Sequence, residues 1–122
     1  EPGESVIVGY YCLSAGEVRR AAAPESMTRR APEPVPAIRM GRFAIDLNYS
    51  GQGLGADLLT EALLGAVHAG RLIAARVMPV DAIDASAAAF YNRFGFEASP
   101  LHEMQMMIDL RVVAASAGFH DA

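Results

Sequence analysis

Tyr49-Ser50-Gly51-Gln52-Gly53-Leu54-Gly55-Ala56 decides how this chain is read, because a turn crowded with glycines runs directly into apolar residues at helical spacing. Just upstream, Ile38-Arg39-Met40-Gly41-Arg42-Phe43-Ala44-Ile45-Asp46 has the composition of a strand. The local order is therefore strand, Gly-rich turn, helix. Glycines let the backbone approach an anion and adopt positive φ, while the first N–H groups of a helix have no partner within it. Together they make a cradle for a diphosphate that needs no lysine. The chain contains none, since every cationic side chain other than histidine is arginine. Taken alone, three alternating glycines serve equally well as a tight turn before an ordinary helix.

Working outward, residues 53–70 place Leu54, Leu58, Ala62 and Ala66 along one line, with Leu59, Leu63 and Val67 beside it. That spacing predicts an amphipathic helix packed on a sheet. Asp57 and Glu61 lie near its start and must point away from any bound diphosphate. Residues 72–80 form the next apolar run, a strand interrupted by Pro79. Residues 84–93 suit a second helix, with Asp84 as N-cap and Gly95 just past its end. Residues 103–110 alternate, with Met104, Met106 and Ile108 on one face and Glu103, Gln105 and Asp109 on the other. At the front, residues 5–14 are rich in Val, Ile and Tyr and read as a central or near-central strand inside a covered sheet. Residues 16–36 are a polar connection with at most one short helix, ending in the extended Pro32-Glu33-Pro34-Val35-Pro36 run. The tail beyond residue 110 is alanine-rich and predicted to fray. Strands alternating with helices give an α/β (α+β) domain rather than a bundle.

With 122 residues there is room for one small domain. No stretch reads as a membrane span or secretory signal, and one cysteine cannot form an internal disulfide, so the reducing cytoplasm is the expected compartment. Cys12, between Tyr11 and Leu13, is expected to be a buried strand residue. A net charge of −4 argues against broad nonspecific nucleic-acid binding. Arg19-Arg20, Arg29-Arg30, Arg39 and Arg42 can still concentrate positive charge on one face, although scattered solvated arginines would look the same.

A second signature, Phe90-Tyr91-Asn92-Arg93-Phe94-Gly95-Phe96, follows at the right distance from the glycine turn. With both in place, residues 6–110 resemble the GNAT acetyltransferases, whose pyrophosphate loop has the form Gln/Arg-x-x-Gly-x-Gly/Ala. Here the first position of that pattern falls on Ser50 and Gln52 sits inside the loop, which predicts weaker cofactor affinity. Val8-Gly9-Tyr10-Tyr11-Cys12-Leu13-Ser14, Gly41-Arg42-Phe43-Ala44-Ile45-Asp46 and the Phe94-Gly95-Phe96-Glu97-Ala98-Ser99-Pro100 ending narrow the resemblance to the acetyltransferase toxins of bacterial toxin-antitoxin modules.

That resemblance implies a GNAT-like mixed sheet flanked by helices, here lacking the usual first strand and first two helices, so that an exposed sheet edge invites a partner chain or a homodimer. It implies acetyl transfer from acetyl-CoA to a primary amine, foremost the α-amine of aminoacyl-tRNA, and neutralisation by a small antitoxin. The alternatives are a small-amine or protein N-acetyltransferase and a truncated, inactive acetyl-CoA-binding domain. By the same resemblance Tyr91 is the catalytic general acid for the departing thiolate. Backbone groups of Phe43, Ala44 and Ile45 would pair with the pantetheine arm. Gln52, Gly53, Leu54, Gly55 and Ala56 would hold the pyrophosphate. Asp84 and Ser86 would contact the cofactor near the last helix, and Arg39 and Arg42 would contact tRNA.

Other residues have plainer readings. Phe90, Phe94 and Phe96 suit a core better than a cofactor site. His68, His102 and His120 fall on a helix surface, in a loop and in the tail, with no spacing for a metal. Met104, Met106 and Met107 suit a flexible apolar patch.

Overall fold

The computed structural model describes residues 9–45 and 54–116. Strand β1 (Gly9–Val18) pairs antiparallel with β2 (Val35–Ile45), and the chain then enters helix α1 (Leu54–Gly70). It returns through β3 (Val77–Asp81), parallel to β2, into helix α2 (Ala85–Arg93). A two-residue strand β4 (Glu97–Ala98), β5 (Gln105–Asp109) and helix α3 (Leu110–Ser116) complete it. The five strands lie in the order β1-β2-β3-β5-β4, so the sheet is mixed. This agrees with the expected α+β class.

Helix α1 forms because its apolar residues recur on one face: Leu59, Ala62, Leu63, Ala66 and Val67 are all buried. They meet Ile38 and Met40 of β2, Met78 and Val80 of β3, and Met106 and Ile108 of β5 in one core. A β-carbon at Gly70 would sit 3.0 Å from that of Ala75 and 3.4 Å from the Ile38 side chain, so the helix end approaches the start of the β2–β3 pairing closely. The helix therefore runs antiparallel to β2, and its N-terminus lies toward the Ile45 end of the strand.

Helix α2 is capped as its sequence predicts: the Asp84 carboxylate accepts from the Ala87 N–H at 2.8 Å. Its C-terminus closes with Gly95 at φ 96°, a left-handed turn that glycine adopts without steric cost. Phe96 then drops into the core at 1% exposure, with its ring 5.2 Å from that of Tyr91.

The opposite face of the sheet departs from the sequence reading. The segment between β1 and β2 is no loose connection. Its two 3-10 turns, 20–22 and 25–27, lay Ala23, Met27 and Ala31 over Val18, Val35, Ala37, Val77 and Met107 in a second core. Arg76 fixes this flap by donating from Nη1 to the carbonyls of Arg29 (2.8 Å) and Met27 (3.3 Å). Because both faces of β5 are covered, Met106 and Met107 are core residues on opposite sides of the sheet rather than a surface patch, and Asp109 is buried and paired with Arg111. Only Met104 of that cluster is exposed.

Three further expectations are corrected. β1 is an edge strand among the described residues and extends to Val18; residues 5–8 lie outside the description. Cys12 is consequently exposed, since Tyr11 and Leu13 turn toward the α1 side and the residue between them turns away. The strand expected over 72–80 begins only at Val77, because residues 71–73 prolong α1 as a 3-10 turn that ends at Ala74 with φ 54°. The tail forms α3 as far as Ser116.

Candidate active site

The parallel strands β2 and β3 share one partner position among the described residues, Ala37 opposite Val77, reinforced by the Arg76 N–H donating to the Pro36 carbonyl at 2.8 Å. Beyond it β2 runs on to Ile45, whereas β3 ends at Asp81. Past Ala37 and Val77 the ladder between the two strands is open toward their C-terminal ends, a wedge in the pairing. An ion pair of 3.9 Å between Arg39 of β2 and Asp81 of β3 joins them there.

The pairing of β2 with β1 adds a second feature at the same place. Register runs Gly9 with Ile45 and Tyr10 with Ala44, then resumes with Cys12 opposite Gly41, so Arg42 and Phe43 together face the single residue Tyr11. This is a β-bulge. It frees a backbone group of β2 from the ladder and re-aims the strand, as bulges beside binding sites do. Phe43, Ala44 and Ile45 are therefore placed on a strand that no longer pairs with β3. A strand edge of this kind is open to strand addition by an extended chain.

The helix that follows supplies the other half. Leu54, Gly55 and Ala56 form the first turn of α1, where backbone N–H groups lack partners within the helix and favour an anion. Asp57, also in the first turn, is exposed. Gln52 and Gly53 lie outside the described residues.

Tyr91 lies in α2 at 5% exposure, its ring edge-on to Phe90 at 5.6 Å. Burial pushes its phenol above the usual tyrosine range, and the negative charge of Asp81 pushes it further the same way. At neutral pH the phenol carries its proton, as an unperturbed tyrosine also does. Tyr91, Asp81 and Arg39 therefore share the end of the sheet where the wedge opens. Asp84 and Ser86 are nearby in sequence but differently engaged: the Asp84 carboxylate caps α2, and Ser86 is exposed in its first turn. Arg42 lies on the bulge. His68 and His102 are exposed, His120 is outside the described residues, and no group of His, Cys, Asp or Glu among the described residues could hold a metal.

Sequence reasoning missed Asp81. The available signal was its position at the carboxyl end of a strand in an open sheet, where ligand sites gather. The bulge at Arg42 and Phe43 carried no sequence signal, since it is a matter of register between two strands.

A mixed sheet split at a bulged strand, followed by a glycine-led helix, defines the GNAT acetyltransferase architecture. The acetyltransferase (GNAT) domain model matches residues 4–98, and the chain belongs to this family. Among curated relatives, the tRNA-acetylating toxin of Mycobacterium tuberculosis (strain ATCC 25618 / H37Rv) is 42% identical over 110 residues, 88% of this chain and 66% of the toxin. The probable toxin TacT of Sinorhizobium fredii (strain NBRC 101917 / NGR234) is 24% identical over 97% of this chain and 70% of its own length. The chain thus spans about two thirds of the length of these relatives.

Among solved structures, AtaT complexed with acetyl-methionyl-tRNAfMet superposes with a TM-score of 0.80 at 27% identity, over 90% of this chain and 66% of that one. A tyrosine-to-phenylalanine mutant of KacT gives 0.83 at 25% identity, over 93% and 70%. These relatives agree with the toxin branch of the family that the sequence resembles. Among the described residues no helix is long and apolar enough to cross a membrane.

Proposed function

We propose that this chain carries the core of an acetyl-CoA-dependent N-acetyltransferase whose acceptor is the α-amine of an aminoacyl-tRNA, and that it acts as a toxin by removing charged tRNA from translation. The observation that supports this most is the 42% identity to a tRNA-acetylating toxin. Such an acceptor places the protein in the cytoplasm. Its natural partner would be a small antitoxin, as AtaT has in AtaR.

Acetyl-CoA supplies an activated acetyl group as a thioester. The chain's own residues do the rest. The edge of β2 at Phe43, Ala44 and Ile45 orients the pantetheine arm, and the freed backbone group at the bulge polarises the thioester carbonyl. The first turn of α1, with Gln52 and Gly53 before it, holds the diphosphate. The amine of an aminoacyl ester is substantially neutral near pH 7 to 8, so no strong protein base is required. As the amine nitrogen bonds to the acetyl carbon and the carbon–sulfur bond breaks, Tyr91 would deliver its proton to the departing thiolate, and the nitrogen's surplus proton would pass through water to restore the Tyr91 phenol.

The test is incubation of the chain with acetyl-CoA and a mixture of charged tRNAs, followed by mass spectrometry of the released amino acids. Acetylated amino acids from the charged tRNAs are the expected product. Acetylation of small amines or peptides with charged tRNA left intact would move the acceptor to those classes, and acetyl-CoA binding without product would make the chain a binding domain.

A further inference from the structure

At the end of the sheet opposite the wedge, a cavity of about 530 Å³ lies between the C-terminus of α1, the residues leading into β3, and α3. Arg71, Arg76 and Arg111 all line it, set among the small residues Gly70, Ala74 and Ala115. None of these residues belongs to the acetyl-transfer site.

Two of the arginines are locked in place. Arg111 grips the buried Asp109 with Nη2 at 2.7 Å and Nε at 3.1 Å, while Arg76 is held through Nη1 by the flap carbonyls of Met27 and Arg29. Arg20, which donates to the Ala31 carbonyl, brings a third guanidinium close enough for its charge to act on Arg76. Burial and the charges of Arg111 and Arg20 all lower the Arg76 pKa, and Asp109 alone opposes them. Arg111 Nη2 also donates to the Ser26 carbonyl at 3.4 Å, and the Glu33 carboxylate accepts from the Arg20 backbone N–H at 2.9 Å. Arg71, Arg76 and Arg111 together bring three guanidinium groups to the lining of one cavity. Anchored guanidinium groups that keep donors to spare around a roomy cavity match the geometry of a phosphate, which they bind through paired hydrogen bonds.

We propose that this cavity is a phosphate-binding site and that, resting on the tRNA reading above, a backbone phosphate of the acceptor RNA fills it. The spacing suits that ligand. Strand β3, whose end carries Asp81 near Tyr91, separates the two ends by five residues, about 15 Å at 3.3 Å per residue. At about 3.4 Å per stacked nucleotide this corresponds to roughly four nucleotides from the acetylated end.

The experiment has two arms and two variants. Arg71→Gln alters an exposed lining residue. Arg111→Gln also deprives Asp109 of its partner and can unfold the chain, so Arg71→Gln carries the test if it does. In the first arm, millimolar orthophosphate raises the melting temperature of the wild-type chain and not that of the variants. In the second, deacylated tRNA is titrated at several KCl concentrations. Each variant is expected to bind several-fold more weakly, with the salt slope reduced by about 1, and with acetyl-CoA affinity unchanged.

Stabilisation by orthophosphate with unaltered tRNA binding would overturn the RNA assignment and leave a site for a small phosphate compound. A wild-type chain that binds no tRNA refutes the acceptor reading, and the orthophosphate arm then decides the cavity alone. Absence of orthophosphate stabilisation together with an unchanged salt slope overturns the proposal.

Discussion

Replacing Tyr91 with phenylalanine separates its chemical role from its packing role. The ring is buried against Phe90 and Phe96, with centroids at 5.6 and 5.2 Å, and the substitution keeps those contacts. Loss of the hydroxyl should cost about 1 kcal/mol of stability, the net worth of an ordinary hydrogen bond. Loss of a well-placed general acid should lower turnover by about 10² to 10⁴-fold, or roughly 3 to 5 kcal/mol of transition-state stabilisation. The two effects differ enough to be told apart by measuring urea unfolding and initial acetylation rates on the same preparation, with acetyl-CoA affinity as a control. Turnover within about threefold of wild type would refute the assignment of the proton to Tyr91. A parallel collapse of stability and of cofactor binding would instead make the residue structural.

The raised phenol pKa has its own signature. Below the ordinary tyrosine value both folded and unfolded chains keep the proton, so pH has no effect through this group. Between that value and the higher folded one only the unfolded chain releases it, so stability falls as pH rises through this window. Urea titrations across that alkaline range should show a smaller fall for Tyr91→Phe. Asp84→Ala removes the α2 cap and should cost about 1 kcal/mol in urea unfolding. Met27→Ala truncates a flap side chain that is 3% exposed against the sheet and should cost about 2 to 5 kcal/mol; a cost under 0.5 kcal/mol would show that the flap does not pack on the sheet. Native protein should react with one equivalent of maleimide at Cys12 without denaturant, whereas protection in the folded state would return that residue to a buried strand.

The parts of the fold that were legible in the sequence are those written in local period and caps. Leu59, Ala62, Leu63, Ala66 and Val67 specify α1 by spacing alone, and Asp84 and Gly95 bracket α2 with the chemistry each terminus needs. What escaped depends on distant contact. The flap of 19–34 reads as polar because its apolar residues are short and irregularly spaced. Ala23, Met27 and Ala31 become a core only when Val35, Val77 and Met107 lie beneath them. Cys12 and the edge position of β1 follow from strand order, which no local pattern encodes. In the candidate site, Tyr91 stands out through the resemblance of its signature to the acetyltransferases, whereas Asp81 acquires meaning only when β3 brings it opposite Arg39.

The most direct measurement is a crystal structure of the chain with acetyl-CoA. The pantetheine should lie along β2 with hydrogen bonds to backbone groups of Phe43, Ala44 and Ile45, the diphosphate should rest on the first turn of α1, and the sulfur should sit about 3 to 3.5 Å from the Tyr91 oxygen. Acetyl-CoA bound outside the β2–β3 wedge, or with its sulfur beyond reach of Tyr91, would contradict the account.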